Sequence, residues 1–323
     1  MQNKITKFLS NLDLFNKPDI LQVVVIIFSL LAFASILFFV WGKLKPTTNL
    51  TELKSRTNSW WIMVVFFVCS ALLDRAITFP AIGMLSFIAF RELYSILDFR
   101  DSDRRAIFWA FIAIPIQYYL AYIEWYLLFI IFIPVYMFLF IPVRLVIKGE
   151  TKGIIKSMAS MQWALMLTVF GISHLAYFLA LPDNIPNFKN GGQGLLLFLV
   201  FLTEINDVLQ FIWGKLLGKH KITPKVSPNK TWEGFIGGVI STTIIGHFLG
   251  FLTPLLDWQV ILASFIIACS GFFGDLVMSA VKRDLGVKDT GAAIPGHGGI
   301  LDRLDSLTYT APIFFHLVYY WAF

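Results

Sequence analysis

WQVILASFIIACSGFFGDLVMSAV, residues 258–281, carries a single charged side chain, Asp275, in a stretch long enough to cross hydrocarbon. About 20 apolar residues span a bilayer as a helix, because every backbone N–H and C=O in lipid must be paired within the segment. Working outward, further apolar runs fall near 20–42, 60–73, 76–90, 106–122, 126–147, 158–181, 194–213, 233–255 and 306–323. Their lengths predict an all-α polytopic membrane bundle with nine to ten transmembrane helices. Asp74 and Arg75 split the short second and third runs, which read either as one helical hairpin or as two crossings. No alternating pattern suggests a β-barrel.

Composition points the same way. Of the 323 residues, 57% are apolar and 14% charged, with a mean hydropathy of +0.74. A soluble domain carries about 25% charged residues, so a water-soluble enzyme, a coiled coil, collagen and a disordered chain are all excluded. The first long run, 20–41, exceeds a signal-peptide core and lacks a cleavage pattern, and is expected to be a retained helix. Cys69 and Cys269 both lie in apolar runs and suggest neither a disulfide framework nor a metal site.

The net charge of +6 reports first on loop placement. Lys215, Lys219, Lys221, Lys225 and Lys230 fill the loop 214–232, and a second polar loop runs from 282 to 305. Two helices separate them, so both lie on one side, with Lys148, Lys152 and Lys156. The basic excess assigns that side to the cytoplasm, and a bacterial inner membrane is the expected location. No repeat or soluble domain is evident. The chain divides into N-terminal transmembrane helices, 1–190, and a C-terminal catalytic region, 191–323. No nucleic-acid partner is indicated, and a homodimer is left open.

Chemistry concentrates in GFFGDLVMSAVKRDLGVKDTGAAIPGHGGILDRLDS, residues 271–306. Asp275, Ser279 and Lys282 follow i, i+4, i+7 and share a helix face. An acid below the membrane surface needs a cation or a basic partner. Gly286, Gly291, Gly296, Gly298 and Gly299 with Pro295 bar regular helix, and the exposed backbone N–H groups read as a phosphate cradle. His297 sits among them, with backbone bonding and a direct role both open. Asp302 and Asp305 follow at i, i+3. Three carboxylates suit Mg²⁺, which keeps several waters and is commonly shared with substrate phosphates. Lys282, Arg283, Lys288 and Arg303 supply counter-charge. The bland alternative is a solvated juxtamembrane loop.

Upstream, Glu204, Asn206, Asp207 and Gln210 interrupt an apolar helix and are expected to line a polar cavity, the alternative being hydrogen bonds that join helices. SPNKTWEG places Ser227, Lys230 and Thr231 at a helix start, where anions are attracted. GKLLGKH at 214–220 is no Walker A motif, and the common zinc-protease, serine-hydrolase and dinucleotide patterns do not occur.

These residues resemble the phosphatidate cytidylyltransferases, or CDP-diacylglycerol synthases. That family's signature is S-x-hydrophobic-K-R-x4-K-D, then P-x-H-G-G-hydrophobic-x-D-R-hydrophobic-D. It is met by Ser279, Lys282, Arg283, Lys288, Asp289, Pro295, His297, Gly298, Gly299, Asp302, Arg303 and Asp305. With Gly274, Asp275 and SPNKTWEGFIGG, the likeness covers about residues 200–307. It implies an integral membrane enzyme joining CTP to phosphatidate, with Mg²⁺ held at Asp275 and Asp302. By this reading Asp275, Asp302, Asp305, Lys282 and Arg283 are catalytic. Ser227, Lys230, Thr231, Asn206, Asp207, Ser279, Lys288, Asp289, His297, Gly298, Gly299 and Arg303 bind substrate.

One departure bears on the acceptor. The family reads Asp, two residues, then Ala-Tyr before the lysine loop, whereas Asp207 is followed here by Val208, Leu209, Gln210 and Phe211. A paralogue acting on another phosphorylated lipid is the alternative. A CDP-alcohol phosphotransferase is a second, but its D-G-x2-A-R-x8-G-x3-D-x3-D pattern is absent. A transporter is a third, but no repeated halves support it.

Overall fold

The structure, a computed structural model, describes residues 17–44, 51–181, 188–291 and 298–323. Within them the chain folds into ten long helices: α1 Pro18–Leu44, α2 Thr51–Leu72, α3 Arg75–Ile96, α4 Arg104–Tyr122, α5 Tyr126–Val146, α6 Ile154–Phe178, α7 Gly191–Leu217, α8 Trp232–Phe248, α9 Asp257–Asp284 and α10 Leu301–Ala322. An all-α membrane bundle is therefore the architecture. Six of the described helices, α1, α3, α5, α6, α7 and α9, are long and apolar enough to cross a membrane by length and composition. The other four fall short: α8 has 17 residues, and α2 is apolar only over Trp60–Leu72. The runs at 60–73 and 76–90 belong to α2 and α3, two helices of 22 residues each. Asp74 caps α3, accepting from the Ala76 N–H at 2.7 Å.

The two polar loops are more ordered than their composition suggests. Residues 214–217 still belong to α7, and two strands follow, β1 Lys221–Thr223 and β2 Ser227–Thr231, paired antiparallel. The expected loop 282–305 is shortened from both ends, since α9 continues to Asp284 and α10 starts at Leu301.

Short connections make neighbouring helices antiparallel, so the bundle has two distinct ends. At one, Lys17 Nζ reaches Gln193 Oε1 at 3.0 Å and Asn190 Nδ2 reaches the Phe251 carbonyl at 2.8 Å. The other end carries the basic residues of the α3–α4, α5–α6, α7–α8 and α9–α10 connections. There Lys156 meets Asp98 at 2.9 Å, and Arg100 donates to the carbonyls of Glu150 and Lys152.

Lipid gives helices little hydrophobic reason to associate, so close packing through small residues carries more of the cohesion. Gly274 is such a contact, because a Cβ there would lie 2.8 Å from the Asp305 carbonyl. That approach lets α9 and α10 lie backbone against backbone at the depth of their acids.

A polar knot ties the basic end together. Asp103, fully buried, accepts from the Arg100 guanidinium at 2.7 Å and from Ser157 Oγ at 2.6 Å, joining the α3–α4 connection to α6. Burial alone would raise this carboxyl, but the hydrogen bonds from Arg100 and Ser157 outweigh it and hold the group below its ordinary value. A depressed carboxyl contributes stability that is complete above its unfolded pKa of about 4 and is lost as pH falls through the lower folded value. Asp103→Asn should lower the stability of the detergent-solubilised protein at pH 7 by on the order of 3 kcal/mol, and should blunt the loss below pH 4. Identical melting curves for the two proteins from pH 3 to pH 7 would contradict this.

Candidate active site

Asp275 lies about two and a half turns from the end of α9, and its carboxylate has two partners among the described residues. Lys230, from β2, places Nζ 2.8 Å from Oδ2, and Ser279 Oγ, one turn on, donates to Oδ1 at 3.1 Å. The Lys230 ammonium also lies 4.3 Å from the centre of the Phe272 ring and 3.4 Å from its carbonyl. β2 thus delivers a cation into the bundle rather than leaving it in solvent.

Asp302, in the first turn of α10, is more enclosed. Its Oδ1 accepts from Lys282 Nζ at 2.8 Å, and both side chains are nearly buried, at 12% exposure for Lys282 and 4% for Asp302. Its Oδ2 accepts from the N–H groups of Thr290 and Gly299, each at 2.8 Å. Gly298 turns with φ +80°, and a Cβ there would sit 2.6 Å from Asp302 Oδ2, so the loop closes directly onto this carboxylate. Lys282 is within electrostatic reach of Asp302, Asp305 and Asp275. Lys282 thus binds Asp302 directly, while Asp275 is paired with Lys230.

Further acids converge from neighbouring helices. Asp207 on α7 and Asp305 on α10 each lie within electrostatic reach of Asp275. Ser306 links them, its Oγ donating to Asp207 Oδ2 at 3.2 Å and its N–H to Asp305 Oδ1 at 2.8 Å. Glu204 is in turn near Asp305 and Arg303.

Other residues expected at the site have different surroundings. Asn206 is fully buried and joins helices: its Nδ2 donates to the Ala268 carbonyl at 3.0 Å, and its Oδ1 accepts from Thr242 Oγ1 at 3.2 Å. Thr231 caps α8 by accepting from the Gly234 N–H at 3.2 Å. Ser227 starts β2, opposite Thr223. Arg283, Lys288 and Asp289 are exposed; Arg283 donates to the Val287 carbonyl at 3.4 Å, and Asp289 flanks Gly298. His297, Pro295 and Gly296 lie outside the described residues.

Of the N–H groups expected to cradle phosphate, that of Gly299 donates to Asp302 Oδ2. The N–H groups of Thr290, Gly299, Ile300 and Leu301 all donate to carboxylates of the protein itself. Asp302 takes the first two. Glu92, from α3, takes the last two, at 2.9 and 2.8 Å. Sequence reasoning missed Glu92 because the apolar run ends at Phe90, and an acid just beyond it reads as a solvated helix end. It also missed Ser306, which follows the last residue of the signature.

Whether these residues fit a magnesium ion is a question of lone pairs. A carboxylate offers about four acceptor sites. Among the described residues Asp275 has two partners and Asp302 three, which leaves each carboxylate at least one acceptor site within that set. Among the described residues no three His, Cys, Asp or Glu side chains form a ready cage. An ion here would be held through one or two carboxylates and otherwise by water and phosphate. The donor set fits.

Comparison with known proteins gives a consistent picture. The model of the cytidylyltransferase family matches residues 54–321. The chain is 40% identical over 297 residues to the uncharacterized protein YnbB of Escherichia coli (strain K12), covering 91% of this chain and 96% of that one. It is 42% identical over 127 residues to the phosphatidate cytidylyltransferase of Staphylococcus haemolyticus, and 42% over 130 residues to that of Mycobacterium leprae. Each of these two matches takes in 39% of this chain, and 49% and 41% of the relatives. The chain thus aligns with less than half the length of the phosphatidate enzymes.

The amide of Asn206 has protein partners at both ends. Asn206→Ala should therefore lower stability by about 1–3 kcal/mol while leaving nucleotide affinity unchanged, as read by melting and by CTP titration. Weaker CTP binding at unchanged stability would assign Asn206 to the substrate instead.

Proposed function

The chain belongs to the cytidylyltransferase family, and from that premise we propose that it transfers the cytidylyl group of CTP to a phosphorylated lipid, with phosphatidate as the first acceptor. Product and by-product are then CDP-diacylglycerol and pyrophosphate. The observation that supports this reading is a pair of lysine–carboxylate contacts at the basic end of the bundle, Lys230 on Asp275 and Lys282 on Asp302, with Asp207 and Asp305 within electrostatic reach of Asp275.

A monoester oxygen of the acceptor attacks the α-phosphorus of CTP in line, and the bond to the pyrophosphate oxygen breaks. Both reactants are anions, so positioning and charge neutralisation are most of what the reaction asks of the protein. Lys230 and Lys282 supply ammonium charge at the depth of a lipid phosphate, and Arg303 adds to it. Asp275 and Asp302 would hold Mg²⁺, which supplies further neutralisation of phosphate charge when bound. No strong general base is required, because a phosphate monoester with a second pKa of about 6 is already largely a dianion at pH 7. The acids act as ligands and anchors.

The basic end faces the cytoplasm in this proposal, by the excess of Lys and Arg in its connections. Nine to ten of the helices lie in a bacterial inner membrane in this reading, six of them long and apolar enough to cross it. A different phosphorylated lipid as acceptor is favoured by one feature: Gln210 and Phe211 stand where the phosphatidate enzymes have Ala-Tyr, and the buried Gln210 amide nitrogen has no hydrogen-bond partner among the described residues.

Purified protein incubated with labelled CTP, Mg²⁺ and a panel of phosphorylated lipids should release pyrophosphate and form a labelled lipid. Its rate should be nearly flat above about pH 7 and fall below about pH 6, as the acceptor gains a proton. Asp275→Asn should reduce turnover on the order of 100-fold. Product from another lipid but none from phosphatidate would keep the chemistry and replace the acceptor. Absence of pyrophosphate release with every lipid would overturn the reading.

A further inference from the structure

Glu92 sits near the C-terminal end of α3, far from the signature motif in the chain, and is 8% exposed. Its carboxylate spans the entrance to α10. Oε1 accepts from the Ile300 N–H at 2.9 Å, and Oε2 accepts from the Leu301 N–H at 2.8 Å and from Thr290 Oγ1 at 3.5 Å. The flanking glycines are cut to this group. A Cβ on Gly299 would collide with Glu92 Oε2, and one on Gly291 would come within 3.0 Å of its carboxyl carbon.

The first N–H groups of a helix have no partner within it, and they favour a negative charge. α10 begins with Ile300 as its N-cap, an apolar residue whose side chain makes no capping bond. Two carboxylates make good the deficit. Asp302 turns back to Gly299 and Thr290, and Glu92 arrives from α3 to cover Ile300 and Leu301. Because Asp302 follows Leu301 directly, whatever fixes the Ile300 and Leu301 peptides also fixes where Asp302 presents its other oxygen to Lys282.

We infer that Glu92 is a positioning residue for the transfer reaction: by clamping the start of α10 it sets the orientation of Asp302 and Lys282, making an N-terminal helix part of the active site's support. The inference rests on the cytidylyl-transfer reading above. The competing possibilities are a purely structural tie and a placeholder that a substrate phosphate displaces.

The test uses full-length Glu92→Gln and Glu92→Asp alongside wild type. Glutamine keeps the size but offers one carbonyl oxygen and turns an NH₂ group toward an N–H; aspartate keeps the charge and falls short in reach. Glu92→Gln should lose about 10–100-fold in kcat with little change in melting temperature. It should also need several-fold more Mg²⁺ for half-maximal rate, and its amide hydrogens at Ile300 and Leu301 should exchange faster. Glu92→Asp should recover part of the rate. A Glu92→Gln protein with wild-type kcat, Mg²⁺ response and exchange would overturn the inference. So would a loss of kcat that merely follows lost folded protein, with the Mg²⁺ requirement unchanged. A lower KM for CTP in Glu92→Gln would indicate displacement by phosphate and overturn positioning. Wild type that releases no pyrophosphate would sink the transfer reading itself, whereas an active wild type with an indifferent Glu92→Gln sinks the positioning role alone.

Discussion

A charge taken from water costs several kcal/mol unless it is paired, and this molecule gathers acids among helices apolar enough to cross a membrane. Every arrangement at the basic end answers to that constraint. Lys230 is carried in by a short hairpin to meet Asp275, Lys282 reaches from α9 to Asp302 on α10, and Glu92 directs its charge to the bare N-terminus of α10. Removing one partner of such a pair leaves the other uncompensated, which destabilises by about 3–5 kcal/mol when buried. The pairs therefore fix the helices as firmly as the helices fix the pairs.

The same pairing suits anionic reactants. Lysines already held at carboxylates keep their ammonium groups at a defined depth, and the acids keep lone pairs directed toward the same space. In the proposed reaction a phosphate and its cation would exchange partners with groups that are in place beforehand, so little reorganisation would be needed. Ser306 and Ser279 add hydroxyls that can turn to whichever oxygen is left. Close packing at Gly274 brings α9 and α10 near enough for this set to form.

Much of this was legible in the residues, for physical reasons. The apolar load admits only a helical membrane bundle, and the spacing of Asp275, Ser279 and Lys282 needs no tertiary information to define one face. Partners distant in sequence were not legible. Glu92 and the N–H groups of Ile300 and Leu301 are brought together only by the packing of α3 on the C-terminal helices. The hairpin was hidden because KIT and SPNKT are short and lysine-rich, without the alternation that marks a half-buried strand. Helix number was harder still. α2, α4 and α10 carry polar residues among their apolar ones, and neither length nor hydropathy fixes how such helices sit in a bilayer.

The central claim is that acids contributed by separate helices act as a single charge-balanced unit. It is tested most directly by a double-mutant cycle of Asp275→Asn and Asp302→Asn, read as kcat/KM for CTP. Groups that work as a unit lose their contribution together, so the double variant should be no more than a few-fold worse than the poorer single variant. Fold-losses that multiply, as for two independent sites, would contradict the account.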